Sequence, residues 1–421
     1  MGFSIQWDDV PELADSNDYV NRCALDFVSK RTARALNAGD GSVSKKNKQY
    51  EAKSLSHVFI HGDNYPCLKL LKKEYAEKID LIYIDPPYNT GKTSFIYDDA
   101  RFSTGKSFDR CVDRHSAWLS FMQRRLLAAK DLLSDTGCIF IAIGNEELYQ
   151  LKLLCDQIFG EDNFINDFMW LHGKGKKDSW SRTLEESNLC YAKNKKRLAP
   201  FEDFEVTDWA TDNADGDARG NWFSGSISFS EERSSKSHPN FYQIISPSGI
   251  KWQRQWFLPK NQMDNLLANN MIYFGKAPDF SNVPRRKIFN GERNKIIPRN
   301  MIEFAESTRQ AQSHVDELLG EKKSFDNPKS VALIRHLLQI TAMKKDAIIM
   351  DFFGGSGTTF EAVLNLNKLD GGCRKCIIIQ EPQKIFKKDS SFATISELCL
   401  KRMEVVLGTD DEILEYRLSV K

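Results

Sequence analysis

Apolar residues between positions 57 and 169 alternate between two arrangements. Three short runs, HVFIHGDN (57–64), LIYIDPPYN (81–89) and CIFIAIG (138–144), are almost wholly apolar and end abruptly in Gly, Pro or a charged residue. Runs of this length without alternation predict strands buried on both faces. Between and after them, YPCLKLLKKEYAEK (65–78), SAWLSFMQRRLLAAKDLLSDTG (116–137) and EELYQLKLLCDQIFG (146–160) carry apolar residues at helical spacing. The second of these is expected to close at Gly137. The rhythm returns after residue 328. PKSVALIRHLLQIT (328–341) and FEAVLNLNKL (360–369) read as helices, and AIIM (347–350) and CIIIQ (376–380) as strands. Strands and helices in alternation predict a mostly parallel, doubly wound α/β sheet covered on both faces.

The intervening stretch has a different texture. Trp170, Trp180, Trp209, Trp222, Trp252 and Trp256 sit among Lys, Arg, Asn and Ser, with little periodicity of either kind. The chain therefore divides into an N-terminal extension (1–55), a first α/β part (56–169), an insert (170–320) and a second α/β part (321–421). The extension is polar, with NAGDGSVSKKN at 37–47, and is expected to dock loosely, with a helix around 17–36.

Composition narrows the class. The 421 residues are 41% hydrophobic and 28% charged, with 59 basic against 58 acidic side chains and a formal charge of +1. A polyanionic partner must then be met by local patches, not by a global field. No run of 18 apolar residues suggests a membrane span, and the acidic start does not resemble a secretory signal. Nine cysteines in no disulfide spacing suit a reducing, cytoplasmic setting. Cys373 and Cys376 form one CxxC without a second pair, so no metal site is expected.

Two motifs carry candidate chemistry. In DFFGGSGTT (351–359), a strand enters a glycine-rich turn and a helix leaves it, and Glu381 ends the following strand. Glycines there let a ligand approach the backbone, a helix start favours an anionic group, and an acid after the next strand suits ribose hydroxyls. A nucleoside-containing cofactor is expected. GxGxxG and GxxxxGK[ST] are not met, which disfavours NAD and excludes a phosphate loop. The second motif, Asp85-Pro86-Pro87-Tyr88, combines a carboxylate, a rigid turn lacking two N–H donors and an aromatic face. Two acceptors and a ring suit a nucleobase bearing an exocyclic amine.

On these residues the chain resembles the amino-methylating DNA methyltransferases that use S-adenosylmethionine. DPPY is similar to their catalytic motif, and Asp351, Phe353, Gly355 and Gly357 to their DxFxGxG cofactor motif. DPPY precedes the glycine motif with a long insert between, as in the β class. IHGDN, IDPPYNTGK, WLSFMQRRLLAAKDLLSDTG and FGEDNFI, with DARGNW, NNMIYFG and PRRKIF in the insert, resemble the modification (Mod) subunits of type III restriction systems. Lys329 followed by VALI is similar to the family's KPxxLI, with Ser330 in place of the proline.

The resemblance implies a Rossmann-like methyltransferase sheet with an inserted target-recognition domain, 170–320. It implies methylation of the N6 amine of adenine in double-stranded DNA, by base flipping and direct in-line transfer, within a restriction-modification system. Asp85 and the Pro86 carbonyl would grip the amine, Pro87 would hold the turn and Tyr88 would stack on the base. Asp351, Phe353, Gly355, Gly357, Thr358, Glu381, Lys329 and Asp63 would line the cofactor, Lys329 through the methionine carboxylate; Asp63 equally suits a helix cap. Lys174, Lys176, Lys177, Arg285, Arg286 and Lys287 are the cations expected to face DNA. The resemblance implies a bacterial cytoplasmic, nucleoid-associated protein, and it allows a homodimer and a restriction subunit as partners. An N4-cytosine or RNA amino-methyltransferase would share these motifs, and a product assay separates them.

Overall fold

The computed structural model describes residues 5–33, 55–91, 114–172, 180–206, 212–291, 293–341, 343–387 and 390–421. It divides into two compact units. One combines residues 1–201 with 299–421, and the other is the stretch Glu202–Pro298.

In chain order the first unit begins with α1 (Asn17–Arg22), β1 (Cys23–Thr32), β2 (Leu55–His61), α2 (Asn64–Tyr75), β3 (Ile79–Ile84), α3 (Arg114–Leu132) and β4 (Leu133–Ile143). It continues with α4 (Leu148–Phe159), β5 (Phe164–Asp167), β6 (Met169–Leu171) and β7 (Glu185–Ala192). The second unit holds seven strands: β8 (Asp203–Val206), β9 (Trp222–Gly225), β10 (Phe241–Ile245), β11 (Lys251–Gln255), β12 (Ile272–Tyr273), β13 (Arg285–Phe289) and β14 (Arg293–Ile296). Its helix is α5 (Lys260–Ala268). The chain then returns to the first unit with β15 (Met301–Ile302), α6 (Thr308–Leu319), α7 (Val331–Ile340), β16 (Ile348–Asp351), α8 (Thr358–Asp370), β17 (Lys375–Gln380), α9 (Ile395–Val406) and β18 (Asp411–Val420).

The large sheet runs β1-β18-β2-β17-β16-β3-β4-β7-β6-β15, with β5 also paired to β7. Neighbours from β18 to β4 are parallel, and β1 and β7 run antiparallel to their partners. This is the expected doubly wound α/β sheet. The apolar runs explain it, because successive residues serve opposite faces. Ile60, Ile82, Ile84, Ile139 and Ile141 pack with Leu68, Trp118, Met122, Leu126 and Leu151 of α2, α3 and α4. Their neighbours Phe59, Leu81, Tyr83 and Phe140 share a core with Leu333, Leu337, Phe360, Val363 and Met403 of α7, α8 and α9. Each such fully buried side chain contributes about 1.5–3 kcal/mol.

From β16 the next strand in sequence, β17, lies to one side; from β3 the next, β4, lies to the other. The chain therefore reverses direction between β16 and β3. In open α/β sheets a ligand crevice opens at such a point, beyond the carboxyl ends of the strands.

Three expectations need correction. The extension is built into the sheet unit: β1 pairs with β18 along its length, and α1 covers only 17–22 of the expected 17–36. Trp7 Nε1 donates to Ser120 Oγ at 3.0 Å, and Asp9 and Asp15 bind Arg124 on α3. The amphipathic run at 116–137 stops being helical at Leu132. Gly137 instead lies inside β4, where an added Cβ would come within 2.9 Å of the Ile79 carbonyl and 3.0 Å of the Ser134 carbonyl. Finally, the compact insert is narrower than 170–320. Strand β7 completes the large sheet with the apolar residues Leu189, Cys190, Tyr191 and Ala192, and α6 packs on α9. Composition alone hid both, because β7 opens with Glu185 and Glu186 and α6 is largely polar.

The second unit is a set of small antiparallel pairings: β10 with β11, β8 with β14, and β12-β13-β9. Its own core gathers Ile227, Ile244, Trp256, Met263, Ile272 and Phe274. Among the described residues no helix is long and apolar enough to cross a membrane.

Candidate active site

The parallel register sets the site. Asp351 lies opposite Ile378, and Gln380 opposite His61, so the ends of β2, β17, β16 and β3 share one edge. That edge carries Gly62-Asp63-Asn64, Gln380-Glu381, the glycine loop and the DPPY turn. Because β7 runs antiparallel to β4, its first residues, Glu185 and Glu186, meet the same edge.

At the DPPY turn, Pro86 is buried and Asp85, Pro87 and Tyr88 are half-buried. Trp118, fully buried on α3, donates from Nε1 to the Pro87 carbonyl at 2.7 Å. Asn89 is buried in left-handed backbone (φ 56°), and its Nδ2 donates to Glu147 Oε1 at 2.5 Å. The turn is thus clamped on both sides. Gly144, at the end of β4, lies under Tyr88, and an added Cβ would approach the ring at 2.9 Å.

Asp85 has two unlike oxygens. Oδ2 is 2.8 Å from Lys329 Nζ, whereas Oδ1 is buried with no hydrogen-bond partner among the described residues. Lys329 is 8% exposed and also lies 3.4 Å from Glu186 Oε1 and 5.0 Å from the centre of the Tyr88 ring. Burial opposes its charge, but the two carboxylates more than offset this, so its pKa rises. Burial, with the Asp85 and Glu186 carboxylates beside it, holds the Tyr88 hydroxyl well above its ordinary value. The expected role of Lys329, pairing with a cofactor carboxylate, is therefore not what this arrangement displays. It is committed to Asp85. Ser330, where the family pattern has proline, caps α7 by accepting from the Leu333 N–H at 3.0 Å.

The glycine loop spends its polar groups internally. Asp351 Oδ1 accepts from the Phe353 N–H at 2.9 Å and Oδ2 from the Thr359 hydroxyl at 2.6 Å. Burial pushes its carboxyl up to about 7. Gly355 (φ 51°) and Gly357 (φ 82°) take left-handed backbone that side chains disfavour. The Gly355 N–H donates to Gln380 Oε1 at 2.7 Å. Thr358 is buried and its hydroxyl accepts from Arg402 Nη1 at 2.9 Å. Arg402, fully buried, also holds Ser356 Oγ (3.0 Å) and Glu361 Oε2 (2.7 Å). Phe353 is partly exposed and packs against Phe121, with ring centres 6.0 Å apart. Glu381, also partly exposed, accepts from Gln383 at 2.8 Å.

Asp63 caps α2 through the Tyr65 N–H (3.0 Å) and meets Arg125 at 3.2 Å. Its capping role is realised. Asn64 beside it donates to the Phe352 carbonyl at 2.8 Å, tying the end of β2 to the glycine loop.

The cations expected to face DNA fare differently. Lys174, Lys176 and Lys177 lie outside the described residues. Arg285 is exposed and bonds the Ser224 carbonyl at 2.9 Å, and Arg286 is half-buried. Lys287 corrects the expectation. It is fully buried, bound to Asp215 (2.5 Å) and Asp217 (2.8 Å) and 5.5 Å from the Trp222 ring centre. Lys287 shares a face of β13 with the buried Phe289, and Arg285, on the same face, is exposed at the strand's first residue.

Trp118, Gly144, Glu186 and Arg402 were not among the expected site residues. Gly144 had a signal, as the stop of an apolar run. Glu186 had a weaker one, as an acid at the head of an apolar strand. Trp118 and Arg402 act through the tertiary fold and had none.

A family model described as DNA methylase matches residues 79–387. The chain is 33% identical to the StyLTI Mod subunit of a type III restriction-modification enzyme from Salmonella typhimurium, over 90% of this chain and 62% of that one. It is 31% identical to the EcoPI Mod subunit of Escherichia phage P1, over 86% and 63% respectively. It is 30% identical to the type II methyltransferase M.KpnI of Klebsiella pneumoniae, over 83% of this chain and 87% of that one. The chain thus spans less than two thirds of the length of these Mod subunits.

Proposed function

The chain belongs to the DNA methylase family matched over residues 79–387, and from that premise we propose that it methylates the N6 amine of adenine in double-stranded DNA. We further propose that it does so as the modification component of a restriction-modification system, the role named for its Mod relatives. Its other substrate is S-adenosylmethionine, whose bound form supplies an electrophilic methyl group.

One observation carries this reading. Asp85 Oδ1 is buried and unpartnered, at the end of a strand beside the glycine loop, while Oδ2 is anchored. An unpaired buried acceptor costs about 1–3 kcal/mol, and with the Tyr88 hydroxyl beside it the site suits a further donor from outside the protein. The exocyclic amine of a base is such a donor. Its lone pair is conjugated into the ring, so it attacks poorly until the N–H bonds are gripped. Asp85 Oδ1 takes one N–H and the Pro86 carbonyl the other. Tyr88 offers its face to the ring, and Trp118 and Asn89 keep the turn rigid. Such positioning accounts for roughly 7–11 kcal/mol of a barrier in well-oriented cases. The base must leave the duplex first, at a cost of about a few kcal/mol.

The residues suited to the cofactor are fewer than the motif suggests. The left-handed glycine backbone, the partly exposed Phe353 and Glu381 are the residues we assign to the cofactor. Asp351, Thr358 and Asp63 serve by shaping the loop and its neighbours. We assign sequence recognition to the Glu202–Pro298 unit, with Arg285 and Arg286 as contact candidates. Double-stranded DNA is then the principal partner, and a restriction subunit is the protein partner this role implies.

The test is a product assay. Purified chain, duplex DNA and labelled S-adenosylmethionine should yield N6-methyladenine after digestion to nucleosides. N4-methylcytosine alone, or methylation of RNA but not DNA, would refute the assignment.

A further inference from the structure

Outside the residues assigned above, one group at the DPPY edge has no role. Glu186, at the head of β7, sends its carboxylate toward the Lys329 ammonium that holds Asp85. We propose that Lys329 and Glu186 are a positioning pair for Asp85. Lys329 fixes one oxygen and so aims the other at the target amine, and Glu186 supplies a second negative charge that keeps the cluster anionic. This rests on the reading that Asp85 meets that amine.

The chemistry asks for such a charge. When the amine takes up a methyl group, its lone pair becomes the new N–C bond and the electrons of the old bond stay with the donor. The nitrogen is then cationic until a proton leaves it for water. Asp85 and Lys329 alone sum to zero, an environment with nothing to spare for a developing cation. With Glu186 ionised the sum is −1, set in a water-poor site where fixed charges act strongly. Lys329 is the only cation among the described residues that these carboxylates are recorded to bind.

The groups facing Glu186 are Lys329, just before α7, and Tyr83, Asp85 and Tyr88 from β3 and its turn, whereas Glu185 alternates to the other face of the strand. Asp351 and His172 stand further off and act on the same cluster. Burial raises the Glu186 carboxyl well above its ordinary value; Lys329 pulls it back and Asp85 pushes it up again. Acidification should therefore neutralise Glu186 at a pH above the usual carboxylate range.

The experiment compares wild type with Glu186→Gln, Glu186→Asp and Lys329→Met. It measures kcat, KM for DNA, calorimetric affinity for S-adenosylmethionine and the pH profile of kcat. Wild type should show an acid limb above the ordinary range for a glutamate. E186Q should lose kcat by about 10- to 100-fold. It should lack that limb and keep DNA KM and cofactor affinity within about threefold. E186D, which retains the charge, should recover part of kcat and keep the limb. K329M should lose more than E186Q, because two facing carboxylates cannot both stay ionised. Wild-type kcat with an unchanged limb in E186Q overturns the proposal. So does a loss in E186Q that lies wholly in cofactor affinity. If E186Q does not fold, E186D decides: a profile without the limb overturns the proposal. Absence of any adenine methylation by wild type would instead refute the underlying function.

Discussion

Two loops lie side by side at the carboxyl edge of the sheet and treat their polar groups in opposite ways. After β16, each oxygen of Asp351 is bonded within the loop, and Ser356, Thr358, Glu361 and Arg402 form a buried network that His314 joins through Glu361. After β3, Asp85 keeps one buried oxygen unpartnered, and Lys329 lies between the Asp85 and Glu186 carboxylates. The first loop is a scaffold that shapes a backbone surface. The second stores unmet hydrogen bonding for a ligand to complete. Satisfied networks rigidify a site, whereas unsatisfied ones mark where its chemistry is held in reserve.

Substitutions at the two loops should therefore fail in different ways, and the largest expected effect is at DPPY. Asp85→Ala should reduce methyl incorporation by about 10²- to 10³-fold, as loss of one preorganised charge partner does elsewhere. Affinity for S-adenosylmethionine, measured by calorimetry, should remain micromolar, about −8 kcal/mol. Activity within about threefold of wild type would mean that the unpartnered oxygen meets no reacting group.

Arg402→Met attacks the scaffold. It removes the guanidinium from buried Glu361, which keeps His314 on its other oxygen, and from the Ser356–Thr358 hydroxyl pair. Breaking a buried pair costs about 3–5 kcal/mol, so the denaturant midpoint should fall sharply and cofactor affinity with it. A fully stable variant lacking only activity would erase the distinction between the loops.

A smaller effect separates them by pH. Asp351 is held protonated up to about 7 when folded, far above an unfolded aspartate near 4. Between those values the folded chain binds more protons than the unfolded one. This group's contribution to stability therefore declines as pH rises through that window. Asp351→Asn should flatten that decline in unfolding curves taken from about pH 4 to 8. An unchanged slope would show that the carboxyl is not buried as described.

The contrast also explains what the chain disclosed before folding. The strands were legible because continuous apolar runs with abrupt stops have few other readings. DPPY and the glycine turn were legible because prolines and glycines restrict or free the backbone wherever they stand. The division of labour inside them was not. Asp351 and Asp85 look alike in sequence, and only register and burial show that one is spent on its own loop. Lys329 lies 244 positions after Asp85, and Glu186 lies between them in a strand that resembled part of the insert. Neither has a periodic signature. The extension misled for a related reason: a polar strand such as β1 pairs through its backbone, which side-chain composition barely records.

The smallest effect lies in the insert, where the same contrast reappears on one strand. Arg285 and Lys287 are two residues apart on β13 and both were counted as DNA contacts. Lys287 is buried between Asp215 and Asp217, and Arg219 together with Lys287 holds the Asp217 carboxyl well below its ordinary range. Its charge is already neutralised, so it has none to offer a phosphate. Lys287→Met should destabilise the Glu202–Pro298 unit, because two acids lose their buried partner, yet it should leave the salt dependence of DNA binding unchanged. Arg285 is exposed, and among the described residues its hydrogen bonds run to Ser224 and to no acid. Arg285→Glu should weaken binding modestly and lower the slope of log affinity against log salt by about one, the loss of one phosphate contact. A salt series on both variants decides it. A slope changed by Lys287→Met and unmoved by Arg285→Glu would place the DNA on a different face of this unit.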